Sequence, residues 1–217
     1  MNPQLIDLLI TSLLETLLMV AVSGAIAVAA GIPLGVILVV TSRGAMLQNL
    51  AVNRALGFVV NASRSVPFVI LMVAIIPFTR WVAQTSIGTT AAIVPLSVAA
   101  IPFMARIAEN AMREIDPGLI TAARAMGASP LQIIAKVLLP ESWPGLVAGV
   151  IVTLVSLIGY SAMAGAIGGG GLGDMGIRYG YQRFLPEVML AVVVVLIALV
   201  QAVQSLGDWL VRRMSHR

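Results

Sequence analysis

The chain has 217 residues, of which 59% are apolar and 10% charged, with a formal net charge of +4 and no cysteine. A mean hydropathy of +1.03 exceeds what a soluble domain of this length could hide in a core, and the lack of cysteine excludes disulfides and thiolate chemistry. The composition belongs in a membrane.

A helix rises about 1.5 Å per residue and the hydrocarbon core is about 30 Å thick, so roughly 20 apolar residues make one crossing. Five runs reach that length, near Leu13 to Val40, Leu56 to Phe78, Gly88 to Ala108, Trp143 to Ala166 and Glu187 to Val211. A barrel strand would alternate apolar and polar residues, whereas VMLAVVVVLIALV is apolar on every side. The expected class is an all-α membrane protein with five transmembrane helices, the whole of 1–217 forming one transmembrane domain. The first 42 residues hold no Lys or Arg, so the basic leader of a signal peptide is missing and the first run is expected to remain as a helix.

Placing the amino terminus outside puts Arg43, Arg54, Arg106, Arg113, Arg124, Lys136, Arg212, Arg213 and Arg217 on the cytoplasmic side, nine of the thirteen basic residues. Arg80, Arg178 and Arg183 then face outward and Arg64 falls within the second span; the reverse orientation leaves three inside. The excess favours an outer amino terminus and a cytoplasmic carboxyl terminus. The positive charge follows from this asymmetry and calls for no nucleic acid.

Arg64, in NASRSVPF, is a cation near the inner third of the second span, where it either serves function or snorkels to the inner surface. On the third span Arg106, Glu109, Asn110 and Arg113 share a face at helical spacing, as expected where a helix leaves the bilayer.

Between the third and fourth spans lies a polar insert, Asp116 to Pro140, reading DPGLITAARAMGASPLQIIAKVLLP. Asp116 is a good N-cap and Pro117 suits the first helical position. Gly127 can take the left-handed conformation that ends a helix, and Ser129 with Pro130 starts a second one, expected to run to Pro140. Ala122 and Ala123 let a partner surface come close while Arg124 offers polar contact, as in a ridge seated in a groove. The plainer alternative is an amphipathic loop on the inner membrane surface.

The fourth span carries a stripe of Gly145, Gly149, Ser156, Gly159, Tyr160 and Met163 within about 100° of helix surface. Its lower half has the small-xxx-small form of a packing interface. Toward the outer end, the flexible thioether of Met163 is a candidate gate facing its counterpart across a two-fold axis; otherwise it fills a core gap. Beyond this span, GLGDMG at Gly171 to Gly176 fits G-x-G-x-x-G but follows a membrane helix instead of a strand, so nucleotide binding there is not expected. No G-x-x-x-x-G-K-[ST] occurs anywhere in the chain. On the last span Gln201, Gln204 and Asp208 share a face near the inner end, read as helix packing. His216 stands alone in a basic tail, and no cluster offers metal-ligand or general-base spacing.

The insert's spacing of Ala122, Ala123, Gly127, Val137, Leu139 and Pro140 resembles the EAA loop of ABC importer permeases, and the likeness extends over nearly the whole chain. RSVPF, GAIGGGGLGDMGIRYGYQ and the QSLGDWLVRR ending are similar to segments of amino-acid importers, the methionine importers among them. The resemblance implies a type I permease fold and a homodimer with its path along the two-fold axis. Thr121, Ala122, Ala123, Arg124, Gly127 and Pro130 would dock on a cytoplasmic ATPase dimer, and Ser156, Tyr160 and Met163 would belong to the path and gate. It also implies an extracytoplasmic methionine-binding protein, inward movement of L- and D-methionine across a bacterial inner membrane amid its lipid, and no catalysis or cofactor on this chain, ATP and Mg residing on the ATPase. Thr121 departs from the motif, which has an acid there. The glycine-rich segment would be a flexible outer loop that follows a docked binding protein, or a plain permissive turn. Other amino acids or small solutes, an ATP-independent carrier and a non-transporting scaffold are the alternatives; acids lying mainly near span ends speak against a carrier.

Overall fold

The computed structural model describes residues 3–214; His216 and Arg217 lie outside the described residues. Among these, all regular structure is helical. In chain order the helices are α1 (Pro3–Val40), α2 (Leu50–Ser65), α3 (Phe68–Ala74), α4 (Ile76–Ala83), α5 (Thr89–Arg113) and α6 (Pro117–Ala125). There follow α7 (Pro130–Ile133), a π-helical turn at Ile134–Leu138, α8 (Leu139–Ala166), α9 (Gly171–Met175), a second π turn at Gly176–Gln182 and α10 (Pro186–Met214).

Four continuous helices are long and apolar enough to cross a membrane: Pro3–Val40, Thr89–Arg113, Pro130–Ala166 and Pro186–Met214. The second apolar run is not the straight span its hydropathy suggests. It breaks at Val66 and Pro67 into α2 and α3, bent by 105°, and breaks again before α4. Val66 is extended, at φ −86° and ψ 126°, because the ring of a following proline crowds the helical conformation of the residue before it.

The second helix of the insert also departs from expectation: it does not stop at Pro140 but runs on through α8 to Ala166. The π turn permits this. The Leu139 N–H donates to the Ile134 carbonyl five residues back, a wider loop that relieves the proline's clash with the preceding turn, and Pro140 has no N–H to lose.

Helix α1 packs along α5 through its glycines. A Cβ on Gly31 would lie 2.8 Å from Met104 Cβ and 2.9 Å from the Ile101 carbonyl; one on Gly35 would lie 2.8 Å from the Ala105 carbonyl. Lipid tails are as apolar as leucine, so this close contact, more than removal from water, holds membrane helices together. Met19, Leu96, Met104 and Leu157 fill the centre of the packing.

The segment after α8 is neither a flexible loop nor a plain turn. It folds into α9 and the second π turn, packed on α1, α8 and α10, with Leu172 and Met175 buried. Backbone meets backbone here: a Cβ on Gly165 would stand 2.3 Å from the Asp174 nitrogen, and one on Gly173 2.2 Å from the Ala162 carbonyl.

Candidate coupling and translocation sites

The insert between α5 and α8 is built by its caps. The Asp116 carboxylate accepts from the Gly118 N–H at 2.8 Å, and α6 ends where Gly127 turns left-handed at φ +82°. The closing bonds run from Gly127 N–H to the Arg124 carbonyl (2.9 Å) and from Ala128 N–H to the Ala123 carbonyl (3.0 Å), so donors after the turn satisfy the carbonyls the helix leaves open. Ser129 and Gln132 then form a reciprocal capping box that starts α7, with Pro130 at its first position.

Thr121, Ala122, Arg124 and Gly127 are exposed on this insert and Pro130 is half-buried, but Ala123 is buried against the chain itself. Ala123 therefore spaces α6 from its own protein, and only Ala122 of the pair faces outward. The Thr121 hydroxyl donates to the Pro117 carbonyl at 3.0 Å, a bond within its own helix. Sequence reasoning passed over the insert's apolar face: Met126 is 82% exposed and Leu131 76% exposed, with Leu119 also exposed. Their signal was three large apolar side chains in a polar segment.

The proposed path residues of α8 divide between surroundings. Gly145 and Gly149 pack on α5, where added Cβ atoms would strike Ala111 and Ile107. Ser156 donates to the Val152 carbonyl at 2.8 Å and lines a cavity of about 600 Å³ between α8 and α10. Tyr160 lies on another side, its ring stacked on Phe68 with centroids 4.7 Å apart and planes 10° apart. It borders a smaller cavity of about 160 Å³ with Arg64 and Phe103. Met163 is 46% exposed and fills no gap in this protomer's core. The exposed positions Val152, Gly159 and Met163 with half-buried Ser156 form a continuous open face of α8.

Arg64 occupies the last turn of α2, exposed, with its guanidinium 5.8 Å from the centre of the Phe103 ring. Gln201, Gln204 and Asp208 share an exposed face of α10, so they take no part in helix packing within this protomer. Of the polar residues on α5, Asn110 stands exposed while the others converge. Glu109 is buried and binds Arg106 and, at 2.7 Å, Arg113; Arg106 also donates to Asn61 of α2 at 2.6 Å. A buried charge needs such partners, and this network ties α5 to α2.

Glu15 and Thr16, which sequence reasoning passed over, reach from α1 to the start of α9. The Gly171 N–H donates to the Glu15 carboxylate at 2.6 Å and the Leu172 N–H to the Thr16 hydroxyl at 2.9 Å. The donors that a phosphate would use in G-x-G-x-x-G are thus taken by the protein's own side chains. An acid inside a long apolar helix was the signal.

Residues 31–216 match the family described as binding-protein-dependent transport system inner membrane component. A probable D-methionine transport system permease protein MetI from Vibrio cholerae serotype O1 is 59% identical, covering 97% of this chain and 94% of the relative. One from Pasteurella multocida is 48% identical over the full length of both. A structure described as an inward-facing conformation of the MetNI methionine ABC transporter superposes with a TM-score of 0.98 at 50% identity, each chain fully covered. An amino acid ABC transporter shares the fold at a TM-score of 0.80 and 18% identity. The molecule is a multi-pass inner-membrane permease of the ABC importer class, all-helical as expected. The chain belongs to the family of binding-protein-dependent transport system inner membrane components.

Proposed function

We propose that this permease carries L- and D-methionine inward, as one of two identical copies joined along an axis beside the open face of α8, driven by a separate cytoplasmic ATPase dimer. The observation that carries this reading is likeness over the entire length, at 50% identity and a TM-score of 0.98, to the membrane chain of a methionine transporter. The capped insert with Ala122, Met126 and Leu131 exposed supplies a surface for the ATPase, and an extracytoplasmic binding protein delivers the amino acid. The amino terminus lies outside and the carboxyl terminus in the cytoplasm, in keeping with the basic residues. ATP and Mg act on the ATPase; closing its dimer draws the two inserts together and parts the outer ends of the two α8 helices, where Met163 is the gate.

A methionine auxotroph stripped of its own high-affinity uptake tests the cargo. Supplied with this permease and the ATPase and binding protein encoded beside it, it is expected to grow on D-methionine as sole methionine source. No growth on D-methionine, with ATP-dependent uptake of another labelled amino acid by the same cells, would keep the importer and overturn the cargo.

A further inference from the structure

A cavity of about 600 Å³ lies between α8 and α10, and its chemistry is not that of a lipid-facing groove. Gly207 is buried where α10 meets Ile151, whose side chain occupies the space a Cβ would take; that close crossing leaves the walls on either side apart. On one wall Gln201, Gln204, Asp208 and Arg212 line the space, and Ser156 on α8 faces it. A carboxylate and amides left against hydrocarbon would be costly, so this half of α10 faces water or solute. Nearer the middle of α10 the exposed side chains Leu190, Val194 and Ile197 are apolar.

Asp208 and Arg212 stand one turn apart on the same face, where side chains are neighbours. Among the described residues neither is held in an ion pair. An anion and a cation, adjacent but each outside any ion pair, match a solute that carries an ammonium and a carboxylate on one carbon. Val152, Val155 and Ile151 supply an apolar wall for a side chain beside them.

We propose that this cavity is a transit site for free α-amino acids on their way to the cytoplasm, with the Asp208 carboxylate receiving the α-ammonium and the Arg212 guanidinium the α-carboxylate. The proposal rests on the importer reading above and adds to it where the amino acid pauses and by which groups it is held. Recognition through the two backbone charges is indifferent to the side chain, so the site passes amino acids as a class and leaves choice among them to the components outside.

The chain has no cysteine, so Ala148→Cys, on the α8 wall of the cavity, provides a single reporter thiol. The assembled permease–ATPase complex carrying it is treated with a maleimide, with and without methionine, and labelling is read on the permease by mass; uptake by the same preparation is measured in proteoliposomes with the binding protein. At a methionine concentration filling nine-tenths of the sites, labelling is expected to slow by roughly tenfold. 3-Methylthiopropylamine and 4-methylthiobutanoate, each lacking one charge, are expected to protect far less. Asp208→Asn and Arg212→Gln should each raise the half-protecting concentration by roughly tenfold or more, since bonds to charged groups are the stronger ones. Protection unchanged in both variants, or equal protection by the one-charge analogues, overturns the proposal. Uptake without protection overturns the site and leaves the importer reading standing, whereas protection without uptake supports the site and sinks the importer reading. A thiol unreactive with and without methionine shows the cavity filled by another part of the assembly and overturns the proposal as well.

Discussion

Gly127 shows how one residue sets what the insert can present. Its φ of +82° strains any other residue, yet nothing lies within 4 Å of where a Cβ would sit. Gly127→Ala therefore carries a conformational cost of about 1 kcal/mol and no clash. Gly127→Asp adds a carboxylate beside exposed Met126 on the proposed docking surface. The ATPase is expected to fall away from the Gly127→Asp permease on purification and to remain with Gly127→Ala; retention by both, with normal uptake, would contradict the docking role. The turn at Gly127 and both caps were legible in the sequence because capping chemistry is local. The burial of Ala123 was not: two adjacent alanines carry no pattern that says which one faces the protein, and the answer depends on how α6 folds back on the π turn. Glu15 escaped for another reason, since averaging hydropathy over a long apolar run conceals a single acid.

At the scale of elements, the apolar runs located four continuous spans and one bent pair but not their shape. Pro67 and Pro140 show why: the first breaks its run into α2 and α3, whereas the second is absorbed by a π turn. The helical segment at 171–182 rests on contacts between residues far apart in sequence, Gly165 against Gly173 and Glu15 against Gly171, which no local pattern encodes. Glu15→Ala leaves the Gly171 N–H without its acceptor, at a cost of about 1–3 kcal/mol. Hydrogen exchange across 171–182 is expected to quicken in Glu15→Ala and to stay near the parent rate in Glu15→Gln, which keeps an acceptor oxygen. Equal protection in both would assign the segment's stability to packing alone. On α8, the open face ending in Met163 places the thioether outside the protomer's own packing. Met163→Ala is expected to raise passive leak of methionine in vesicles without ATP while leaving thermal stability within about 1 kcal/mol, because a half-exposed side chain leaves little cavity behind. Unchanged leak and unchanged transport would make Met163 a residue of ordinary packing.

For the whole molecule, the class could be read from composition and from the Asp116 to Pro140 insert before any coordinates, because hydropathy fixes the environment and the spacing of small residues and caps in the insert resembles that of the family. The surroundings of the proposed path residues could be read only in part. Ser156, Tyr160 and Met163 share a narrow arc of one helix, yet Ser156 opens on α10 while Tyr160 stacks on Phe68, a division set by neighbours that the arc does not reveal. Under the proposed function, a protomer whose α8 face is open and whose α10 carries exposed glutamines and an aspartate is half of a passage, completed by a second copy and driven from the insert. The most direct measurement is ATP-dependent accumulation of labelled L- and D-methionine in proteoliposomes containing this permease, the ATPase and the binding protein encoded beside it. The account predicts accumulation that requires all three proteins and ATP. Accumulation without ATP, or none for either enantiomer while the ATPase remains bound and active, would contradict it.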